Sequence, residues 1–138
     1  SYLLTLAQVA AGTPPSVHVE PADGPAREGS FVLVGNGRLY GGPFVLFKEA
    51  RLDDGLLDVL VFQNQSHWDL LRYVQAIAFG THPDLSDVEY FQTKSLRLMS
   101  RDHVPVEIDG ELTGTLPYEF GFSKRKLKVL VPAATPGL

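Results

Sequence analysis

Leu56-Leu57-Asp58-Val59-Leu60-Val61-Phe62, residues 56–62, is a nearly continuous apolar run of strand length, broken by one carboxylate. A strand that is apolar at successive positions has to bury both faces, so this run predicts a central strand of a layered sheet. Upstream, Phe31-Val32-Leu33-Val34 predicts another strand. Val17 and Val19 alternate with polar neighbours between Ser16 and Glu20, and the Pro21-Ala22-Asp23-Gly24-Pro25 segment turns the chain between the two. Asn36-Gly37 and Gly41-Gly42 mark further turns, and Phe44 to Phe47 supplies a short strand. Residues 2–11 place Leu3, Leu4, Leu6 and Val9 on one helical face, and Gly12 with Pro14-Pro15 would stop that helix.

Downstream of the run, Ser66 and Asp69 form a capping-box pattern. Leu70, Leu71, Val74, Ile77 and Ala78 continue it as a helical apolar face that ends at Gly80. From Val88 the pattern turns to β: Val88 to Phe91, Ser95 to Met99, Val104 to Ile108, Tyr118 to Phe122 and Leu127 to Val131, separated by Asp-His, Asp-Gly and Lys-Arg turns. The expected fold is mainly β, or α+β: a β-sandwich-like domain with two helices.

Composition bounds the function. The 138 residues, 44% of them apolar, suit one domain, read as residues 1–138. Twelve basic against sixteen acidic residues give a sequence pI near 5.5 and no field that would attract a nucleic acid. Cysteine is absent, which excludes disulfides and thiolate metal sites. No apolar run reaches the roughly 18 residues a transmembrane helix needs, so the expected location is cytoplasmic, with any membrane contact peripheral. The chain opens at Ser1 inside an apolar pattern without an initiator Met, which reads as a cut in a longer protein.

Two acidic turns are the candidates for chemistry. Asp109-Gly110-Glu111 follows a strand, and Asp-Gly is a strong hairpin signal. Either carboxylate, held rigidly there, could also serve as a general base toward a hydroxyl. Asp53-Asp54-Gly55 is likewise an ordinary turn by pattern, with Asp53 or Asp54 bonding nearby N–H groups. One carboxylate with backbone carbonyls and waters would equally make a hard oxygen site for Mg²⁺. His18, His67, His82 and His103 share no metal-ligand spacing. Lys124-Arg125-Lys126 with Lys128 is a solvated face or a patch for anionic head groups. Neither a Gly-x-Ser-x-Gly elbow nor a phosphate-cradling Gly-x-x-x-x-Gly-Lys-Ser/Thr loop occurs.

Taken in order, four segments resemble the C-terminal domain of the diacylglycerol kinase catalytic family, which includes bacterial lipid kinases and the sphingosine and ceramide kinases. They are Asn36-Gly37-Arg38-Leu39-Tyr40-Gly41-Gly42; Ala50 to Val59 with its Leu52-Asp53-Asp54-Gly55; Asp109-Gly110-Glu111 with Leu116-Pro117; and Leu127 to Pro132. Pro43 departs from the small residue usual in that family after Gly41-Gly42.

The resemblance implies a two-domain lipid kinase whose N-terminal nucleotide-binding domain, with its Gly-Gly-Asp-Gly-Thr motif, lies outside this chain and holds most of the ATP. It implies Glu111 as proton acceptor and Asp109 as its acidic neighbour. It also implies a Mg²⁺ site formed by the Asp54 carboxylate and the backbone carbonyls of Arg51 and Leu56. The implied partners are that N-terminal domain, a lipid substrate, the inner face of a membrane and a second copy of the chain. On this basis the isolated chain should be inactive. Two rival readings remain: a non-catalytic lipid-binding or regulatory module of the same fold, and a small-molecule kinase related to NAD kinases.

Overall fold

The computed structural model describes residues 15–40, 44–64, 66–125 and 128. The helix expected over residues 2–11, the Gly41-Gly42-Pro43 loop and the strand expected over residues 127–131 lie outside them, apart from Lys128.

The apolar run is the central strand. As β6 (Leu57–Phe62) it pairs antiparallel with β3 (Phe31–Gly35) on one side and β7 (Val88–Thr93) on the other. All six of its residues are buried. Because alternate side chains point to opposite faces, Leu57, Val59 and Val61 serve one core and Leu60 and Phe62 another.

The first core lies between two sheets. Leu57, Val59 and Val61 pack against Val17, Val19, Leu96 and Leu98. Those belong to β1 (Val17–Pro21) and β8 (Ser95–Met99) of a four-stranded sheet of order β11-β8-β1-β2, completed by β2 (Arg27–Gly29) and β11 (Tyr118–Gly121). The second core lies on the opposite face of β6, where Leu60 and Phe62 meet Leu46, Phe47, Ala50 and Tyr73. Tyr73 comes from helix α1 (His67–Phe79). The result is a sandwich with a third, partial layer of helix and connecting chain, and the central strand is apolar on both faces because both are covered.

Local signals set the borders of α1. Ser66 Oγ accepts from the Asp69 N–H at 3.1 Å, and Asp69 Oδ2 accepts from the Ser66 N–H at 3.3 Å, so two otherwise orphaned donors are satisfied reciprocally. The hydrogen bonds from Ser66 hold the Asp69 carboxyl below its usual range. Gly80, at φ 69°, ends the helix in the left-handed conformation. A single 3-10 turn, His82–Asp84, leads on toward β7.

Two details differ from the sequence reading. The turn after β1 does not lead directly to the strand at Phe31: it leads to β2, which pairs with β1, and β3 then crosses to the other sheet. The strand expected over residues 44–47 is only β5 (Phe44–Val45), paired with β4 (Leu39–Tyr40). Leu46 and Phe47 leave that ladder to plug the second core, where each is at most 2% exposed.

Candidate functional site

Asp109 and Glu111 sit at the tip of a two-stranded ribbon, β9 (Pro105–Ile108) and β10 (Glu111–Thr115), which forms a sheet of its own. Asp109 has φ 51° and Gly110 φ 87°, two successive positive values that suit the tight two-residue hairpin turn. Glycine takes that conformation freely, and aspartate is among the few other residues that tolerate it. The hairpin and chemical readings of Asp-Gly-Glu therefore coexist: the turn fixes where the carboxylates are.

The ribbon is rooted at one end only. Val106 is buried, and Val104 and Leu116 pack against the core between the sheets. Toward the tip burial fades, with Asp109, Gly110 and Glu111 exposed and Leu112 73% exposed. Glu111 pairs with Ile108 across the ladder, so its side chain shares a ribbon face with Ile108 and Val106. The register slips between Leu112 and Gly114, and Thr113 Oγ1 donates to the Val106 carbonyl at 3.2 Å beside that slip.

Arg51, Asp54 and Leu56 lie on the turn that enters β6. Asp54 Oδ1 accepts from the Leu56 N–H at 2.9 Å, and Gly55 follows at φ 72°. This is a closed aspartate turn in the form the sequence suggests. Asp54 is exposed and makes no other hydrogen bond among the described residues. Arg51 Nε lies 3.5 Å from Asp53 Oδ1, on the surface.

Among the described residues no three His, Cys, Asp or Glu side chains converge to hold a metal. A cation at this turn has to draw on backbone oxygens, and one carboxylate with carbonyls and waters is a donor set that suits Mg²⁺. No hydrogen bond or ion pair among the described residues joins the turn to the ribbon tip.

Sequence reasoning passed over one carboxylate, Asp58. It stands inside the apolar run, has no exposed surface, and is two residues past Leu56. Its Oδ1 accepts from the Tyr90 hydroxyl and from Gln92 Nε2 at 3.0 Å, while its buried Oδ2 has no partner among the described residues. Burial first, then the hydrogen bond to Asp58, raise the Tyr90 hydroxyl, and the charges of Glu49 and Asp54 act on it in the same direction. The signal available in the sequence was the contrast itself: one acid among six apolar residues.

The outward face of α1 is the other unusual surface. Trp68 is 81% exposed and Phe79 80%, with Leu71 and Val74 also exposed and the partly exposed Arg72 beside them. Among the described residues no helix is long and apolar enough to cross a membrane. Of the histidines, His82 is buried with Nε2 2.8 Å from the Leu46 carbonyl oxygen, and His18 lies between Glu20 and Glu28. Lys124, Arg125 and Lys128 are exposed.

The family described as the YegS C-terminal NAD kinase beta sandwich-like domain matches residues 1–131. A diacylglycerol kinase of Mycobacterium tuberculosis is 34% identical over 98 residues, which make up 71% of this chain and 31% of that protein. A diacylglycerol kinase of Staphylococcus carnosus is 30% identical over 112 residues, 80% of this chain and 37% of that protein. A crystal structure of a diacylglycerol kinase from Bacillus anthracis superposes with a TM-score of 0.62 at 26% identity, over 86% of this chain and 40% of that one. The chain thus spans about a third of the length of the curated relatives it matches.

Proposed function

The chain belongs to the family of YegS C-terminal NAD kinase beta sandwich-like domains, and from that premise we propose that it is the acceptor-side half of an ATP-dependent lipid kinase. Its substrate is diacylglycerol or a related long-chain alcohol. The observation that carries this reading is the placement of Glu111: a carboxylate on an exposed hairpin tip, set by a tight two-residue turn, is free to meet a hydroxyl presented by a second domain. The Mycobacterium and Staphylococcus relatives described above are diacylglycerol kinases, and they supply the substrate class.

The chemistry asks little covalent work of the protein. As the acceptor oxygen forms its bond to the γ-phosphorus, the bridging bond to ADP breaks, and the hydroxyl proton passes to the Glu111 carboxylate. Asp109, one turn residue away, orients Glu111 or supports its basicity through like-charge repulsion. Asp54 with the carbonyls of Arg51 and Leu56 would hold Mg²⁺, which when bound supplies positive field near the phosphates. ATP itself would bind mainly to the partner domain, which the relatives' greater length leaves room for.

A lipid substrate also gives the outward face of α1 a use. An apolar stripe with an exposed Trp and an exposed Phe, and Arg72 beside them, suits the boundary between head groups and acyl chains, and would hold the enzyme at the inner face of the membrane. That stripe is equally what a purely lipid-binding module would need, and turnover separates the two readings. Full-length protein with ATP, Mg²⁺ and diacylglycerol-containing vesicles should form phosphatidic acid, while the isolated chain should not. Lipid binding by the full-length protein without any phosphoryl transfer would replace the kinase reading with the module.

A further inference from the structure

The pairing of the ribbon changes register once along its length. At the root Thr115 stands opposite Pro105 and Gly114 opposite Val106, and the Leu116 N–H donates to the Val104 carbonyl at 3.0 Å in the same register. Nearer the tip Leu112 stands opposite Glu107 and Glu111 opposite Ile108. Thr113 is left without a place in the ladder, the extra residue of a β-bulge. Close packing at the next residue does not force the slip, since a Cβ on Gly114 would meet no atom within 4 Å. A side chain spans it instead: Thr113 Oγ1 donates to the Val106 carbonyl at 3.2 Å.

The slip decides which residue faces which way. Successive strand residues point to opposite faces. Carried to the tip without a bulge, the root register would set Thr113 opposite Glu107 and Leu112 opposite Ile108, with Asp109-Gly110-Glu111 as a three-residue loop. Leu112 would then share the face of Val106 and Ile108, and Glu111 would stand in no ladder at all. With the bulge, the turn shortens to Asp109-Gly110, Glu111 takes the place beside Ile108, and Leu112 is turned to the opposite face. There it is 73% exposed, whereas the alternative register would pair it with another apolar side chain. The ribbon thus leaves a leucine in water and seats a carboxylate where the leucine could stand.

We propose that Thr113 is a positioning residue for Glu111: its hydroxyl holds the bulge that selects the register in which Glu111, and not Leu112, stands on the face of Val106 and Ile108. This rests on the reading of Glu111 as the proton acceptor and deepens it. Thr113 itself touches neither substrate nor proton. It acts through the ladder, which ties Glu111 to a root that Val104, Val106 and Leu116 fix on the core between the sheets. Bulges re-aim side chains beside reactive sites in this way, and a proton acceptor displaced by about 1 Å loses on the order of 100-fold in rate.

The test is a double-mutant cycle in the full-length protein, read by radiolabelled phosphoryl transfer from ATP to diacylglycerol in vesicles. Thr113→Val keeps the branched shape and removes the hydroxyl. It should lower kcat about 10- to 100-fold with KM for the lipid nearly unchanged, and with a melting temperature close to the parent's because Thr113 is exposed. Thr113→Ser keeps the hydroxyl and should hold kcat within about threefold of the parent, on that same scale. In a Glu111→Gln background the Thr113→Val loss should vanish, since a positioning residue has nothing left to position. Glu111→Gln with parental kcat would overturn the proton-acceptor reading and this proposal with it. If Glu111→Gln is impaired as expected, parental kcat in Thr113→Val would overturn the proposal alone. So would a Thr113→Val loss that persists undiminished beside Glu111→Gln, or one that Thr113→Ser fails to restore.

Discussion

The central strand and the ribbon are opposites built from the same backbone geometry. In β6 every residue is buried, whereas in β9 and β10 only Val106 is. One strand is held by two cores, and the other is held by its turn and its root. The difference shows where this fold keeps its stability and where it has room for chemistry. A carboxylate at the ribbon tip need not be desolvated to be retained, so its replacement should change turnover and leave folding alone.

The largest expected effect tests that division directly. Glu111→Gln in the full-length protein should lower the turnover number roughly 100- to 10,000-fold, the range for losing a general base. Its melting temperature should match the parent, because the side chain is exposed and makes no ion pair among the described residues. A kinase assay set beside a thermal melt reads both. A large melting shift would break the comparison, and an unchanged turnover number would remove Glu111 from the base role.

The mirror-image experiment is Leu60→Ala. Leu60 is 1% exposed and packs with Phe47, Phe62 and Tyr73, so truncation leaves a cavity that the surrounding core closes only in part. About 2–5 kcal/mol of stability should be lost, measurable by urea unfolding. The surviving folded fraction should keep its turnover number, since nothing on the ribbon has moved. Loss of less than about 1 kcal/mol would mean that the second core is not the strong region it looks to be.

Between these extremes lies the polar seam that ties α1 to the sheet. Asp87 Oδ2 accepts from the Tyr73 hydroxyl, from Asn64 Nδ2 at 2.6 Å and from Arg72. Burial alone would raise the Asp87 carboxyl. The hydrogen bonds from Tyr73 and Arg72 outweigh burial and hold it below 3.8, and burial together with the bond to Asp87 pushes Tyr73 up to about 12. A depressed carboxyl contributes stability that is present above its unfolded value and is lost as pH falls through the lower folded value. Asp87→Asn should therefore cost about 1–3 kcal/mol near neutral pH. The difference from the parent protein should narrow as pH falls below about 4. Equal differences at pH 7 and pH 3 would show that charge is not what the seam uses.

How much of this was legible follows the same division. The both-faced burial of β6 could be read because six apolar residues surround one acid, and α1 because Ser66 and Asp69 announce its start. Arg27-Glu28-Gly29 carries no periodic signal: it is a strand only because Val17, His18 and Val19 pair with it from across a turn. Glu111 to Thr115 is exposed and contains Gly114, so neither apolar alternation nor propensity marks β10, and only the Asp-Gly turn implied it. The Asp54 turn could be read from Gly55. The environment of Asp58 could not, since Tyr90 and Gln92 reach it from 32 and 34 residues away. The catalytic role proposed for Glu111 has no local signal at all, because a hairpin tip looks the same in sequence whether or not another domain faces it.

The smallest effect bears on that last point. Gly110→Ala puts a Cβ on a residue at φ 87°, outside the region L residues favour, and should cost about 1 kcal/mol if the turn holds its shape. Relief of that strain would require Asp109 and Glu111 to shift, because a two-residue turn has no other residues to absorb the change. The energetic loss is minor for a protein whose strength lies in β6, yet the displacement falls on the carboxylates themselves. Turnover should accordingly drop well beyond the few-fold change that such a stability loss would produce, with the substrate KM less affected than kcat. Parallel small losses in both would mean that the tip need not be rigid, and that the second domain, not the hairpin, sets the geometry of the base.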